Sequence, residues 1–211
     1  MAESSTPEIL ARTKETLATA RLGLRDVVEG DPARRLGGLR NLIVFGRAVT
    51  NVLQNLRSSE PDFDAWYEPY VAEMRDDPLL RYFYVLRSEI LKEGKLPTSN
   101  MTHIKQFEFP KDMQRLGPPP TGAVAFFMGD QSGGSGWEVK LPNGDVEKFY
   151  VDIPGDIGSS EVHLPDAPDT HREIPIPDKR IETLSGLYFS YLQAMVDDAR
   201  TTFAEGNNQR R

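Results

Sequence analysis

The 211-residue chain contains no cysteine. That excludes thiol nucleophiles, cysteine zinc sites, iron–sulfur clusters and disulfides, and it fits a reducing compartment. Histidine is nearly as scarce: His103, His163 and His171 are the three. They form no HxxxH, HxH or HExxH spacing, so no metal and no cofactor is expected. His163 and His171, standing among Asp166 and Asp169, read as part of a solvated acidic loop. No GxSxG elbow is present, which leaves a serine triad without support. The glycine-rich GDQSGGSG from Gly129 lacks the Lys-Ser/Thr ending of a phosphate-binding loop and reads as a flexible hairpin or lid. No stretch approaches the roughly 20 apolar residues needed to span a bilayer, and MAESSTPEIL has neither a basic n-region nor a long apolar run. The expectation is a soluble, cytoplasmic protein with no membrane partner.

Acidic residues outnumber basic ones, giving a net charge of −7, which argues against indiscriminate nucleic-acid binding. The average hides an asymmetry. Pro32 to Ser59 carries Arg34, Arg35, Arg40, Arg47 and Arg57 with no carboxylate, whereas Asp145 to Asp178 holds nine carboxylates against Lys148 and Arg172. Either the basic segment meets an external polyanion, or it meets acidic surface of its own fold or of a twin subunit.

Hydrophobic periodicity organises the rest. Thr6-Pro7-Glu8 reads as a helix start capped by Thr6, followed by Leu10, Leu17, Ala20 and Leu24 at helical spacing up to Gly30. Asp31-Pro32 repeats the cap chemistry. A second helix then places Leu42, Phe45, Val49, Val52, Leu53 and Leu56 on one face, with Arg40, Arg47, Asn51 and Gln54 opposite. Gly37-Gly38 marks a kink, a late start or a close approach to another backbone. Pro61 to Asp76 predicts a short aromatic-rich helix that Pro69 would break or bend. A fourth helix opens at Asp77-Pro78 and closes at Gly94.

Prolines and glycines then concentrate between Lys95 and Pro177, interleaved with alternating runs at THIKQFEF, AVAFFM, WEVKL and VEKFYVDI that read as strands. Pro142-Asn143-Gly144-Asp145 carries the signal of a tight hairpin. Asp178 is the expected cap of a final helix with a strong apolar stripe from Ile181 to Phe203. The fold class is therefore α+β. Residues 1–94 form a helical array, 95–177 a small inserted antiparallel β subdomain with irregular Pro/Gly-rich loops, 178–205 a helix returning to the bundle, and 206–211 a disordered tail.

Arg87 is the functional pointer. At about 100° per residue, Leu79, Leu80, Phe83, Tyr84, Leu86, Ile90 and Leu91 fall in one apolar arc of roughly 160°, and Arg87 lies inside it. A guanidinium so placed needs an anion, a buried ion pair with Glu89, Glu93 or a carboxylate of another helix, or a water-lined crevice. With Arg40, Arg47, Asn51 and Gln54 it offers a set of donors for a phosphate or carboxylate.

Paired long helices, a short helix and an Arg-bearing helix ending in a polar cluster resemble the HEPN superfamily of helical bundles. The resemblance implies homodimers whose facing helices each contribute an Arg-x4-6-His motif to a metal-independent RNase site. Non-catalytic members bind RNA, nucleotides or protein partners. Arg87 matches the arginine, while Lys92, Glu93 and Gly94 occupy the positions of the histidine. The imidazole acid–base partner is missing unless His103 or Lys92 is recruited. The expectation is a HEPN-like, dimeric, non-catalytic binding protein of a bacterial phage-defence or toxin–antitoxin system, with an RNA or protein partner. The alternatives are a metal-independent RNase using Arg87 with His103 or Lys92, and a structural or assembly protein without a small ligand.

Overall fold

A computed structural model describes residues 4–205 of the chain; the tail expected over 206–211 lies outside the described residues. Six helices and three small antiparallel sheets make up an α+β fold.

Helix α1 (Thr6–Val28) starts one residue earlier than the sequence suggests. Ser5 is the N-cap, and its reciprocal bonds with Glu8 form a capping box, a register that Thr6 could not supply because its N3 position is Ile9. Helix α2 (Pro32–Leu53) begins at Asp31, whose carboxylate accepts from the Ala33 N–H, and tightens into a 3-10 turn over Gln54–Ser58. Among the described residues α1 and α2 share the most extensive helix–helix contact, and they approach closely. Gly38 is the reason: its Cα faces α1 where a Cβ would stand 2.8 Å from the Gly23 carbonyl oxygen. Helix α3 (Phe63–Asp76) runs unbroken through Pro69. Helix α4 (Pro78–Glu93) is capped by Asp77 and ends at Gly94 with φ of 67°, the left-handed conformation that favours glycine.

The segment between α4 and the last helix is three separate sheets, where the sequence suggested one β unit. Strand β1 (Ser99–Ile104) pairs only with β5 (Gly158–His163). Strands β2 (Ala123–Phe127), β3 (Ser135–Lys140) and β4 (Val146–Val151) form a meander closed by the expected Asn143-Gly144 turn. Strands β6 (Thr170–His171) and β7 (Ile174–Pro175) form a minimal hairpin. The run from Thr102 is strand only to Ile104, and a short helix, α5 (Lys111–Arg115), follows it. The glycine-rich loop is a β2–β3 connection held down by Asp130, whose carboxylate accepts from the N–H groups of Ser132 and Gly134, the Tyr150 hydroxyl and Lys148. These donors outweigh the opposing effect of burial and hold its carboxyl below the usual carboxylate range.

Helix α6 (Ile181–Arg200) opens at Arg180; Asp178 stands two residues outside and accepts from the Arg180 N–H at 3.0 Å, bracing the entry to the helix without capping it. The helix packs on α1, α2 and α4. Its Tyr188 stacks on Phe83 at 4.4 Å between ring centroids. Val162, Leu164 and Ala167 join the same core as Leu42, Ile43, Phe83 and Leu192, so the β5 side of the excursion is fused to the bundle. No helix among the described residues is long and apolar enough to cross a membrane.

His171 departs from the solvated-loop expectation. It is buried, and its Nδ1 lies 3.0 and 3.1 Å from the two carboxylate oxygens of Asp77, which also accepts from the backbone N–H of Leu80 and of Arg172. The β6–β7 hairpin is thereby tied to the start of α4.

Candidate functional site

Two concave sites divide the residues that the sequence pointed to. The first is a groove of about 570 Å³ between α2, α3, α4 and α6. Its floor holds Tyr67, Leu80, Tyr188, Tyr191 and Leu192, all buried, and its walls include Val71, Met74 and Tyr84. Around this apolar interior stand Arg47, Arg57, Arg75 and Arg81, and no carboxylate is among the lining residues.

Each element delivers its part for a local reason. Arg47 and Gln54 lie seven residues, about two turns, apart on α2 and so share a face. Between them Thr50 accepts a hydrogen bond from Arg47 Nη1 and in turn donates to the Arg47 carbonyl. Gly46 has no side chain where Tyr188 needs room; a Cβ there would lie 2.7 Å from Tyr188 Cε1 and 2.9 Å from Leu192 Cδ1. Tyr84, nearly two turns into α4, receives the Arg47 guanidinium over its ring at 5.6 Å.

The four guanidiniums are not equivalent. Arg57 Nε is 2.6 Å from Asp64, and Arg75 pairs with its neighbour Asp76 at 2.9 Å. Arg47 and Arg81 have no carboxylate within ion-pair distance among the described residues, and neither has Arg87. The expected ion pair of Arg87 with Glu89 or Glu93 does not form; Glu93 is taken by Lys95. Arg87 also sits at the edge of the buried arc and not in its middle, because Tyr84 and Leu91 are more than half exposed. Its Nε is nevertheless buried without a hydrogen-bond partner. Arg87 and Arg47 both act on the Tyr188 hydroxyl, drawing its pKa down against burial, which pushes it well above the usual tyrosine value. The Tyr188 part of the floor therefore lies in a field of unneutralised positive charge, whereas the Tyr191 hydroxyl feels the Glu73 carboxylate first.

The second site is a polar cleft of about 520 Å³ where the α1–α2 turn meets the first two sheets. His103 is here, with Glu29, Asp31, Arg35, Tyr150 and Asp152. Arg35 donates to the Ser132 carbonyl at 2.8 Å, and burial with the bond to Asp130 pushes the Tyr150 hydroxyl up to about 12. Arg87 is not among the residues of this cleft, and Lys92 is exposed on the last turn of α4.

The proposed binding set is thus divided. Arg47 and Gln54 line the groove, Arg40 instead donates to the Gly94 carbonyl at 3.1 Å and secures the end of α4, and Asn51 is exposed. The basic and acidic segments are joined by no ion pair among the described residues; carboxylates of the acidic one pair with Arg115, Lys179 and Arg180, while its own Arg172 pairs with Glu73 of α3. Sequence reasoning missed Arg81, Arg75, Tyr188 and Tyr191 as site residues. Tyr188 and Tyr191 were legible only as hydroxyls in an otherwise greasy stripe.

Comparison with known proteins adds one context. The family model of bacteriophage lambda protein ea47 matches residues 31–108. No curated protein and no solved structure matches the chain. The matched segment runs from the cap of α2 through β1, so it contains every arginine of the groove, Arg87 and His103, but neither Tyr188 nor Tyr191. No group of three or more histidine, aspartate or glutamate side chains among the described residues is placed to hold a metal ion.

Proposed function

We propose that the protein is a dimeric, non-catalytic binding protein of phage–host conflict, HEPN-like in its helical array, and that its binding centre is the arginine-rimmed groove. The observation that carries this reading is charge: three guanidiniums without carboxylate partners act on one apolar groove that itself contains no acid. Such a place attracts an anion. The match to a phage protein family supports the setting. Against the RNase alternative, His103 occupies a different cleft from the groove, and Lys92 faces solvent.

A cleavage assay separates the two readings. Single-stranded and structured RNA, with and without chelator, should remain intact in the presence of the wild-type protein. Chelator-insensitive cleavage lost in Arg87→Ala would restore the RNase. For binding, thermal-shift titration with anions should raise the melting temperature of the wild type, and Arg47→Ala/Arg81→Ala should abolish the response. Anion-induced shifts that persist in the double variant would place the site elsewhere.

The dimeric part of the proposal rests on α4. Tyr84 and Leu91 stand seven residues apart in line along α4, with Val85 on the flanking strip beside them, and each is more than half exposed. A second copy facing that stripe would cover it, as the HEPN-like arrangement implies. Light scattering coupled to size exclusion should give twice the 23.7 kDa chain mass, and Val85→Asp should yield a folded monomer. A wild type that is monomeric at high micromolar concentration would remove the dimer.

A further inference from the structure

Building on the groove as the binding centre, we infer that its occupant is a small amphiphilic monoanion, a single carboxylate or sulfonate head on an aliphatic or aromatic body. Three features fix the class. The volume, about 570 Å³, falls within the range of roughly 300–1,000 Å³ usual for small-molecule sites. The interior is carbon: Val71, Met74, Leu80 and Leu192 alternate with tyrosine rings, a surface that rewards an apolar body and not a hydrated one. The charge is local. Of the four rim arginines two are already neutralised by Asp64 and Asp76, which leaves Arg47 and Arg81 for the ligand.

Two guanidiniums free of carboxylates suit one anionic head better than a polyanion. A nucleic-acid strand gains its affinity from a track of unpaired cations following successive phosphates, together with rings offered to the bases. Here the available cations stand at the rim of a single apolar depression. Arg47 is pre-positioned by its bond to Thr50 and by the Tyr84 ring beneath it, so little side-chain freedom is lost when it takes a bidentate anion. Polar capacity also remains in the floor. The Tyr191 hydroxyl is buried without a hydrogen-bond partner, and buried hydroxyls are rarely left so. An acceptor atom on the bound body, reached by a small displacement of the floor, would satisfy it.

The test uses the full chain and the fluorescent probe 1-anilinonaphthalene-8-sulfonate, an aromatic body with one sulfonate. Dodecanoate, kept below its micellar concentration, should displace the probe at least tenfold more effectively than dodecanol, acetate or inorganic phosphate. Arg47→Ala/Arg81→Ala should weaken dodecanoate by about ten- to a hundredfold, the scale of lost charge-assisted hydrogen bonds, while the double lysine variant retains much of the affinity. Val71→Asp, at a wall position that is 44% exposed and so tolerant of charge, should block dodecanoate with unchanged melting behaviour. Dodecanol binding as well as dodecanoate would overturn the anionic head. Phosphate or a nucleotide binding through Arg47 and Arg81, with dodecanoate no better than acetate, would overturn the amphiphile and leave the anion groove standing. Loss of every anion effect would remove both.

Discussion

Replacing Asp77 by alanine should lower the unfolding free energy by about 3–5 kcal/mol, the range for breaking a buried charged network by removing one partner. Its side chain is 4% exposed. The carboxylate accepts from the Leu80 N–H at 2.9 Å as the cap of α4, from the Arg172 N–H at 2.7 Å, and contacts His171 Nδ1 at 3.0 Å. Alanine would leave two backbone donors and an imidazole nitrogen without their partner. A lost cap alone costs about 1 kcal/mol, so a result near that value would mean that the β6–β7 hairpin contributes little.

The same residue sets a pH dependence. Burial pushes the Asp77 carboxyl upward, but the Arg172 and Leu80 N–H groups and His171 together outweigh it, and the net direction is downward. A carboxyl with a depressed folded pKa binds fewer protons in the native state. Its contribution is therefore fully present above the unfolded value, about 4, and is lost as pH falls through the folded value. Denaturant titrations of wild type and Asp77→Asn should converge as the pH drops below about 4 and differ most at neutrality. A gap independent of pH would show that shape, not charge, holds the hairpin. Leu80, Arg81 and Tyr84 lie in the first turns of α4, so anion binding in the groove should weaken along with the cap.

Much of this arrangement is legible in one dimension where the physics is local. Asp-Pro twice announces a helix start, at Asp31 and at Asp77, because the cap and the fixed φ of proline act within four residues. Asn143-Gly144 announces its hairpin for the same reason. The apolar stripe of α6 signals a buried helix, since period alone decides which face is greasy.

Partnership across the chain is not legible. His171 sits in a polar run and looks solvated; only the return of the chain over α4 brings it to Asp77, 94 residues earlier. Three separate sheets looked like one unit because alternation reveals a strand but not its neighbour, and β1 skips three strands to reach β5. Arg87 was visible as an anomaly, yet its setting depends on Tyr84 and Leu91, which periodicity assigns to the core and the fold leaves exposed. The groove itself is assembled from four helices, and its decisive property, two arginines without acids, arises from which aspartates the neighbouring turns supply.

The tightest constraint on that assembly is the α1–α2 crossing, and Gly23→Val should reveal it. A Cβ at Gly23 would lie 2.6 Å from the Gly38 carbonyl oxygen, 2.6 Å from the Leu42 nitrogen and 3.1 Å from the Leu42 Cα. All three are backbone atoms, which no rotamer change can move aside. The helices must separate or slide, and overpacking of this kind costs about 1–3 kcal/mol, more when backbone is the obstacle. Gly37→Ala provides the internal control. It lies on the exposed side of α2 with nothing within 4 Å of its Cβ position, and removing a helical glycine there should stabilise by about 0.5–1 kcal/mol. Opposite shifts in the thermal midpoint from the two substitutions would establish that it is the crossing at Gly23, and not helical glycine as such, that demands the missing side chain. A tolerated Gly23→Val would mean that the crossing is looser than 2.6 Å allows. In that case α2 could slide along α1, and Arg47 would no longer be held at a fixed place on the rim of the groove.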